Sequence, residues 1–214
     1  MPFTQQVLVR NMGCEDFSKA MGVKEEMNAE AEITDIQRFS VHDGTGIRTL
    51  VFFKGCPLRC IWCHNPETQR KQPQLFCIES KCIHCGACIL ACPKQAVSVK
   101  GEEIVTDRTR CVECGECVKV CFSGARKIVG RKYTVEEVIE KVLQDEVFYK
   151  YSGGGVTLSG GDPVAHIEFA CELLLRLKQL GIHTAIETCG VCCEEDFTRL
   201  LENVDLVLFD LKHT

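Results

Sequence analysis

Eleven of the seventeen cysteines stand in three tight runs: Cys56-x3-Cys60-x2-Cys63, Cys82-x2-Cys85-x2-Cys88-x3-Cys92 and Cys111-x2-Cys114-x2-Cys117-x3-Cys121. A disulfide framework is excluded because the total is odd, the spacing is clustered, and residues Met1 to Met12 lack the charged start, apolar run and cleavage site of a secretory signal. A chain of 214 residues can also bury a core without covalent staples. Thiols kept reduced, as in the cytoplasm, point to metal.

The second and third runs have the spacing of a bacterial two-cluster ferredoxin, in which the fourth cysteine of each run crosses to the other cluster. That assigns Cys82, Cys85, Cys88 and Cys121 to one 4Fe-4S cluster and Cys111, Cys114, Cys117 and Cys92 to another. Gly86 and Gly115 allow the backbone to approach closely, the segments IHCGACILACP and VECGECVKVCF form an internal duplication, and Phe122 replaces the second proline. Two zinc knuckles are the alternative, although zinc motifs usually separate their C-x2-C pairs by a longer spacer. The first run offers only three thiolates, which leaves one iron of a third cluster open to another molecule. A zinc site completed by His64 is the competing reading of that run.

With 25 basic and 30 acidic residues the net charge is −5, so no global basic field attracts nucleic acid or an anionic membrane. No apolar run reaches the roughly 20 residues of a membrane span. Residues 1–32 read as a disordered leader, polar and without an apolar stripe. Residues 33–75 carry a first strand (RTLVFFKG, Arg48 to Gly55) and the three-cysteine loop, 76–130 form the ferredoxin-like insert, and 131–214 hold the remaining strands and helices. A helix is predicted over Thr134 to Tyr149, with Thr134 as N-cap and Glu137 closing a capping box. A strand VTLSG, a helix from Val164 to Leu180, a strand HTAIET, a helix from Glu194 to Glu202 and a strand VDLVLFDL follow. Alternating strands and helices predict a parallel α/β sheet with its ligands at the carboxyl ends of the strands. The glycine-rich SGGGVTLSGGDP (Ser152 to Pro163) ends one such strand, and its bare backbone amides suit an anionic group or an ordinary turn.

The first run, with Trp62 as the aromatic of C-x3-C-x-aromatic-C, resembles the radical S-adenosylmethionine (SAM) superfamily. The stretch FSVHDGTGIRTLVFFKGCPLRCIWCHNPE (Phe39 to Glu67) resembles the opening of the activating enzymes of glycyl radical enzymes. Arg48, Gly55, Cys56, Cys60, Trp62 and Cys63 match that pattern, and Thr45 departs from its usual proline. The resemblance implies a partial (β/α) barrel with the ferredoxin-like module inserted. It also implies a SAM molecule held by the open iron through its amino and carboxylate groups, and an electron that cleaves it to a 5′-deoxyadenosyl radical. That radical takes hydrogen from a glycine of a partner glycyl radical enzyme. Cys56, Cys60 and Cys63 are then the catalytic cysteines. Gly160, Gly161 and Asp162 resemble the family's G-G-E segment, which holds the SAM amino group; the shorter aspartate must reach, or its backbone suffices. Glu187, Asp210 and Lys212 resemble acid-threonine and D-x-K motifs and would surround SAM together with a monovalent cation.

The full implied complement is three 4Fe-4S clusters, SAM and the cation, with a flavodoxin or ferredoxin-type electron donor. Partners of this subgroup include choline, glycerol and aromatic-compound lyases. Relatives continue beyond the D-x-K strand, so the chain reads as truncated, and Met27 is an alternative start. The competing functions are a catalytically impaired iron–sulfur electron-transfer or binding fragment, and another radical SAM maturase. Of the remaining cysteines, Cys171 reads as core, Cys189, Cys192 and Cys193 read as reduced thiols rather than a fourth metal site, and Cys14 and Cys77 take no assignment. His42, His84, His166 and His183 show no ligand spacing.

Overall fold

The computed structural model describes residues 29–212. Most of the expected leader, with Cys14 and Met27, lies outside the described residues; its last part does not behave as a leader, because a strand already begins at Glu30.

The strands are β1 (Glu30–Ser40), β2 (Arg48–Phe53), β3 (Gln74–Cys77), β4 (Val97–Lys100), β5 (Glu103–Thr106), β6 (Arg126–Val129), β7 (Arg131–Thr134), β8 (Gly155–Gly160), β9 (His183–Thr188) and β10 (Leu206–Phe209). The helices are α1 (Ala87–Leu90), α2 (Glu116–Lys119), α3 (Val135–Leu143), α4 (Glu146–Ser152), α5 (Ile167–Gln179) and α6 (Glu194–Leu201). Six strands form one sheet in the order β10-β9-β8-β2-β1-β7. β2, β8, β9 and β10 run parallel, as alternating strands and helices predict. β1 and β7 add antiparallel pairings on one side, so the sheet is mixed rather than wholly parallel. β1 escapes a sequence reading because EAEITDIQRFS buries only Ala31, Ile33 and Ser40. A strand with one wet face carries few apolar residues.

Helix α3 starts at the predicted cap: the Thr134 hydroxyl accepts from the Glu137 amide at 3.2 Å, and the Glu137 carboxylate accepts from the Thr134 amide at 3.0 Å. Its buried residues Val135, Val138, Ile139 and Val142 repeat at helical spacing and face the sheet. The expected single helix from Thr134 to Tyr149 is two helices, broken at Asp145. That side chain is buried and takes Arg38 Nε at 2.7 Å and the Thr49 hydroxyl at 3.1 Å, which ties the break to β1 and β2. Phe169, Ala170, Leu173, Leu174 and Leu177 of α5 cover the sheet beside Val51, Phe53, Leu158 and Ile186, and Cys171 packs partly against them.

The insert is built from the β4–β5 hairpin, the one-turn helices α1 and α2, and the antiparallel pair β3 and β6 that closes its two ends. It meets the sheet at Lys54, whose side chain is wholly buried. The Lys54 ammonium donates to the Glu67 carbonyl at 2.5 Å and to Gln74 Oε1 at 3.0 Å, and its own carbonyl faces His166 Nε2 at 2.7 Å. Among the described residues no helix is long and apolar enough to cross a membrane.

Candidate active site and metal centres

Parallel pairing brings the carboxyl ends of β2, β8, β9 and β10 to one rim: Phe53 lies beside Gly160, and Phe209 beside Thr188. The loop that leaves β2 is closed at its base. Gly55 and Cys56 donate their amides to the carbonyls of Thr68 and Gln69, and the Gln69 side chain returns to the Cys60 carbonyl at 3.2 Å. The loop therefore projects its cysteines over the strand ends without becoming a loose excursion.

A cleft of about 350 Å³ opens between this loop and the strand ends. All ten residues assigned to the cleft from sequence line it: Cys56, Cys60, Trp62 and Cys63 from the loop, Gly160, Gly161 and Asp162 after β8, Glu187 on β9, and Asp210 and Lys212 after β10. His64, Asn65, Thr68, Gln69, Ser159, Thr188 and Cys189 share the lining. Among the described residues no three His, Cys, Asp or Glu side chains converge on one metal ion.

The individual side chains differ in what they leave free. Asp162 is buried, and its carboxylate is fully engaged: it accepts from the Val164 amide (3.2 Å), the Thr188 hydroxyl (2.8 Å), the Cys189 amide (2.9 Å) and the Cys189 thiol (3.0 Å). It fastens the β8 turn to the end of β9, and its backbone is engaged as well, the amide donating to the Gly55 carbonyl at 2.8 Å and the carbonyl accepting from the Ala165 amide at 3.0 Å. Gly161 is small for a similar reason, since a Cβ there would overlap the Gly55 carbonyl oxygen. Glu187 accepts from the Ser159 hydroxyl; burial pushes its carboxyl above the usual range, and the nearby Asp43 adds to the effect. Asp210 and Lys212 form an ion pair at the mouth of the cleft, and that pairing holds the Lys212 ammonium in its charged form. The Cys56 thiol is drawn below the usual thiol range, first by its side-chain contact with Cys189 and then, against burial, by the Leu58 amide.

In the insert the duplication is also geometric. His84 and Glu113 both take left-handed backbone, with φ of 55° and 54°, and Gly86 and Gly115 follow with φ of 73° and 78°. In both runs the first and fourth cysteines are half-buried, the second exposed and the third buried. Cys92, Cys111, Cys114 and Cys117 line one small cavity with Pro93 and Val97. Cys121 follows α2 as Cys92 follows α1.

Residues 81–125 match the family model described as a 4Fe-4S dicluster domain. The chain is 50% identical over 182 residues to the trans-4-hydroxy-L-proline dehydratase activating enzyme of Clostridioides difficile, covering 84% of this chain and 60% of that one. It is 46% identical over 187 residues to the choline trimethylamine-lyase activating enzyme of Oleidesulfovibrio alaskensis, covering 86% and 60%. It is 48% identical over 189 residues to the benzylsuccinate synthase activating enzyme of Thauera aromatica, covering 84% and 56%. Its homologues are activating enzymes. The resemblance to the radical SAM activating enzymes of glycyl radical enzymes, carried by Phe39 to Glu67, is thereby borne out. The chain spans about three fifths of the length of these curated relatives.

Four residues of this activating-enzyme homologue acquire their place only in the fold. Ser159 holds Glu187, Gln69 holds the cysteine loop, Thr188 holds Asp162, and Cys189 touches both Cys56 and Asp162. Gln69 carries no motif; Ser159 lies in the glycine-rich stretch and Thr188 in the acid-threonine segment, but neither pattern reveals the partner it holds. Cys189 was visible in the sequence as one of three cysteines near the AIETCG strand, but nothing there shows that the turn after β9 folds back onto Cys56.

Proposed function

We propose that this chain carries the SAM-cleaving site and the electron relay of a glycyl radical enzyme activating enzyme. The observation that carries the reading is the single cleft at the carboxyl ends of four parallel strands, where the three-cysteine loop faces the glycine turn and the acidic strand ends. We read the four parallel strands as the first part of a (β/α) barrel.

The residues fit the groups. Cys56, Cys60 and Cys63 line the cleft together and would hold three irons of a 4Fe-4S cluster. Bound there, a 4Fe-4S cluster with SAM on its open iron supplies an electron and a 5′-deoxyadenosyl radical. The chain's own residues do the rest. The Gly160–Gly161 turn lines the place of the SAM amino group, while the engaged Asp162 keeps that turn rigid against β9. Glu187 and Asp210 supply the negative wall for a monovalent cation, with Lys212 neutralising part of it. The indole of Trp62, itself half open to solvent, shields the sulfur loop.

In the insert, Cys82, Cys85, Cys88 and Cys121 hold one relay cluster, and Cys92, Cys111, Cys114 and Cys117 the other. A flavodoxin or ferredoxin-type protein in the cytoplasm is the electron donor, and the partner is a glycyl radical enzyme.

Anaerobic reconstitution tests this reading. About twelve irons per chain are expected, four for each cluster. Incubation with SAM and a chemical reductant should yield 5′-deoxyadenosine, and Cys60→Ala should abolish that product while leaving about eight irons. Stoichiometric zinc in place of iron overturns the reading. Full iron with no SAM cleavage favours an electron carrier instead.

A further inference from the structure

We propose that Arg126 is a positioning residue that makes the two insert clusters easier to reduce, by holding one buried positive charge between their cysteines. The inference rests on the proposed function, in that the two crossed quartets must hold iron–sulfur clusters.

Arg126 opens β6, its Cα paired with Cys77 of β3, and only 5% of it is exposed. Burying a guanidinium is costly unless its charge is met. Its one neutral side-chain partner among the described hydrogen bonds is the Thr106 hydroxyl, which accepts from Nη1 at 2.9 Å. Among the described residues no carboxylate pairs with it; β6 packs against α2, which carries Cys117, and α2 against α1, which carries Cys88, and the side chains that act on its charge are those of Cys77, Cys88 and Cys117. Its main-chain amide and its charge also act on Cys121. Cys88 and Cys121 belong to one quartet and Cys117 to the other, so a single cation stands at the junction of both.

An independent observation comes from the duplication. Arg126 lies five residues after Cys121, and Val97 lies five residues after Cys92. Val97 is 4% exposed and lines the cavity of the second quartet, as a packing residue should. The two positions are bridged, because Val97 pairs with the same Thr106 that holds Arg126. The repeat thus puts a buried arginine where its twin puts a buried valine, a departure that packing alone does not require.

The chemistry is a one-electron transfer with no bond made or broken. An electron enters a cluster from a reduced flavin or ferredoxin-type donor and leaves for the cluster on Cys56, Cys60 and Cys63. Each added electron makes the cluster and its thiolates more negative, and a fixed cation nearby in low-dielectric surroundings favours that state.

The test is an anaerobic potentiometric titration of the iron-loaded full chain, followed by electron paramagnetic resonance. In Arg126→Met, which removes the charge and keeps most of the volume, the reduced-to-oxidised ratio of the insert clusters at a fixed potential should fall about tenfold, equivalent to about 59 mV for one electron. Arg126→Lys should retain most of the wild-type ratio. A fully loaded Arg126→Met protein with an unchanged ratio overturns the inference. If Arg126→Met fails to hold iron, Thr106→Val decides: loss of the orienting hydroxyl should lower the ratio about threefold, and an unchanged ratio overturns the inference. Wild-type iron content separates this outcome from failure of the underlying reading, because an insert without iron removes both, whereas a loaded insert indifferent to Arg126 removes only this one.

Discussion

The sheet and the insert are held together in different ways. Among the described residues, the apolar cluster behind the sheet contains nineteen buried residues from β1, β2, β8, β9 and the helices α3, α4, α5 and α6, together with one turn residue. The insert's cluster has four, Leu75, Cys88, Val97 and Cys117, and two of those are proposed metal ligands. A core that small supplies little against the conformational entropy of some fifty residues, and small domains of this kind depend on metal for their stability. The same chain therefore contains one region folded by burial and one that we read as folded by coordination. That difference also explains where each region keeps its chemistry. The sheet can afford an open cleft at its rim because its stability comes from the opposite face of its strands, whereas in the insert the reactive groups are themselves the core.

The sharpest way to break this comparison is to take the iron away. In anaerobically prepared iron-free protein, trypsin should cut rapidly at Lys94, Lys100, Arg108 and Arg110, while a core fragment containing residues 131–212 persists and keeps its helical circular dichroism. In iron-loaded protein those four sites should be protected. An iron-free insert as resistant as the loaded one would show that its four-residue core suffices, and the contrast between the two regions would fail.

The converse experiment strikes the sheet. Leu173 is wholly buried between α5 and the strands, so Leu173→Ala should lower stability by about 2–5 kcal/mol, through lost burial and the cavity left behind. Urea unfolding followed by far-ultraviolet circular dichroism measures it. Iron content should be unchanged under native conditions, and a proportionate loss of iron would mean that the two regions unfold as one.

The comparison also explains what the sequence makes legible. The cleft is readable because its chemistry needs particular residue types at fixed spacing, and Cys56, Gly161, Glu187 and Lys212 each sit in such a pattern. In the insert, Cys92 shares a cavity with the cysteines of the later run, a neighbourhood that the repeated spacing leads one to expect. α3 is readable because Thr134 and Glu137 satisfy its first amides locally. Features that depend on distant partners are not. The break at Asp145 exists because Arg38 and Thr49, about a hundred residues earlier, bind its carboxylate. β1 and β7 are strands because each finds a neighbour, not because either is apolar. Asp162 looks like a ligand in the glycine motif, and only the fold reveals that its acid is occupied by β9.

The smallest expected effect concerns the far end of the same strands, where electrostatics adds to burial. Asp205 accepts from the Thr184 amide at 2.9 Å and from its hydroxyl at 3.1 Å, and it pairs with Lys178, joining the start of β10 to β9 and α5. Burial pushes its carboxyl up, but the Lys178 ammonium and the Thr184 bonds prevail and hold it at about 2. The unfolded chain titrates at about 3.9. A folded value below the unfolded one means that the stabilisation is fully present above about pH 4 and is lost as pH falls towards 2. The pair is partly open to solvent, so screening reduces the contribution to about 1 kcal/mol. Asp205→Asn should therefore be less stable than wild type by about that amount at pH 7, and the gap should narrow by pH 3. Urea midpoints of the two proteins at both pH values measure it, and because acid loss of clusters is common to both, it cancels in the difference. A gap that stays constant from pH 7 to pH 3 would mean that Asp205 acts through hydrogen bonds an amide can replace only in part. In that case the charge contributes nothing to the sheet, and its stability rests on burial alone.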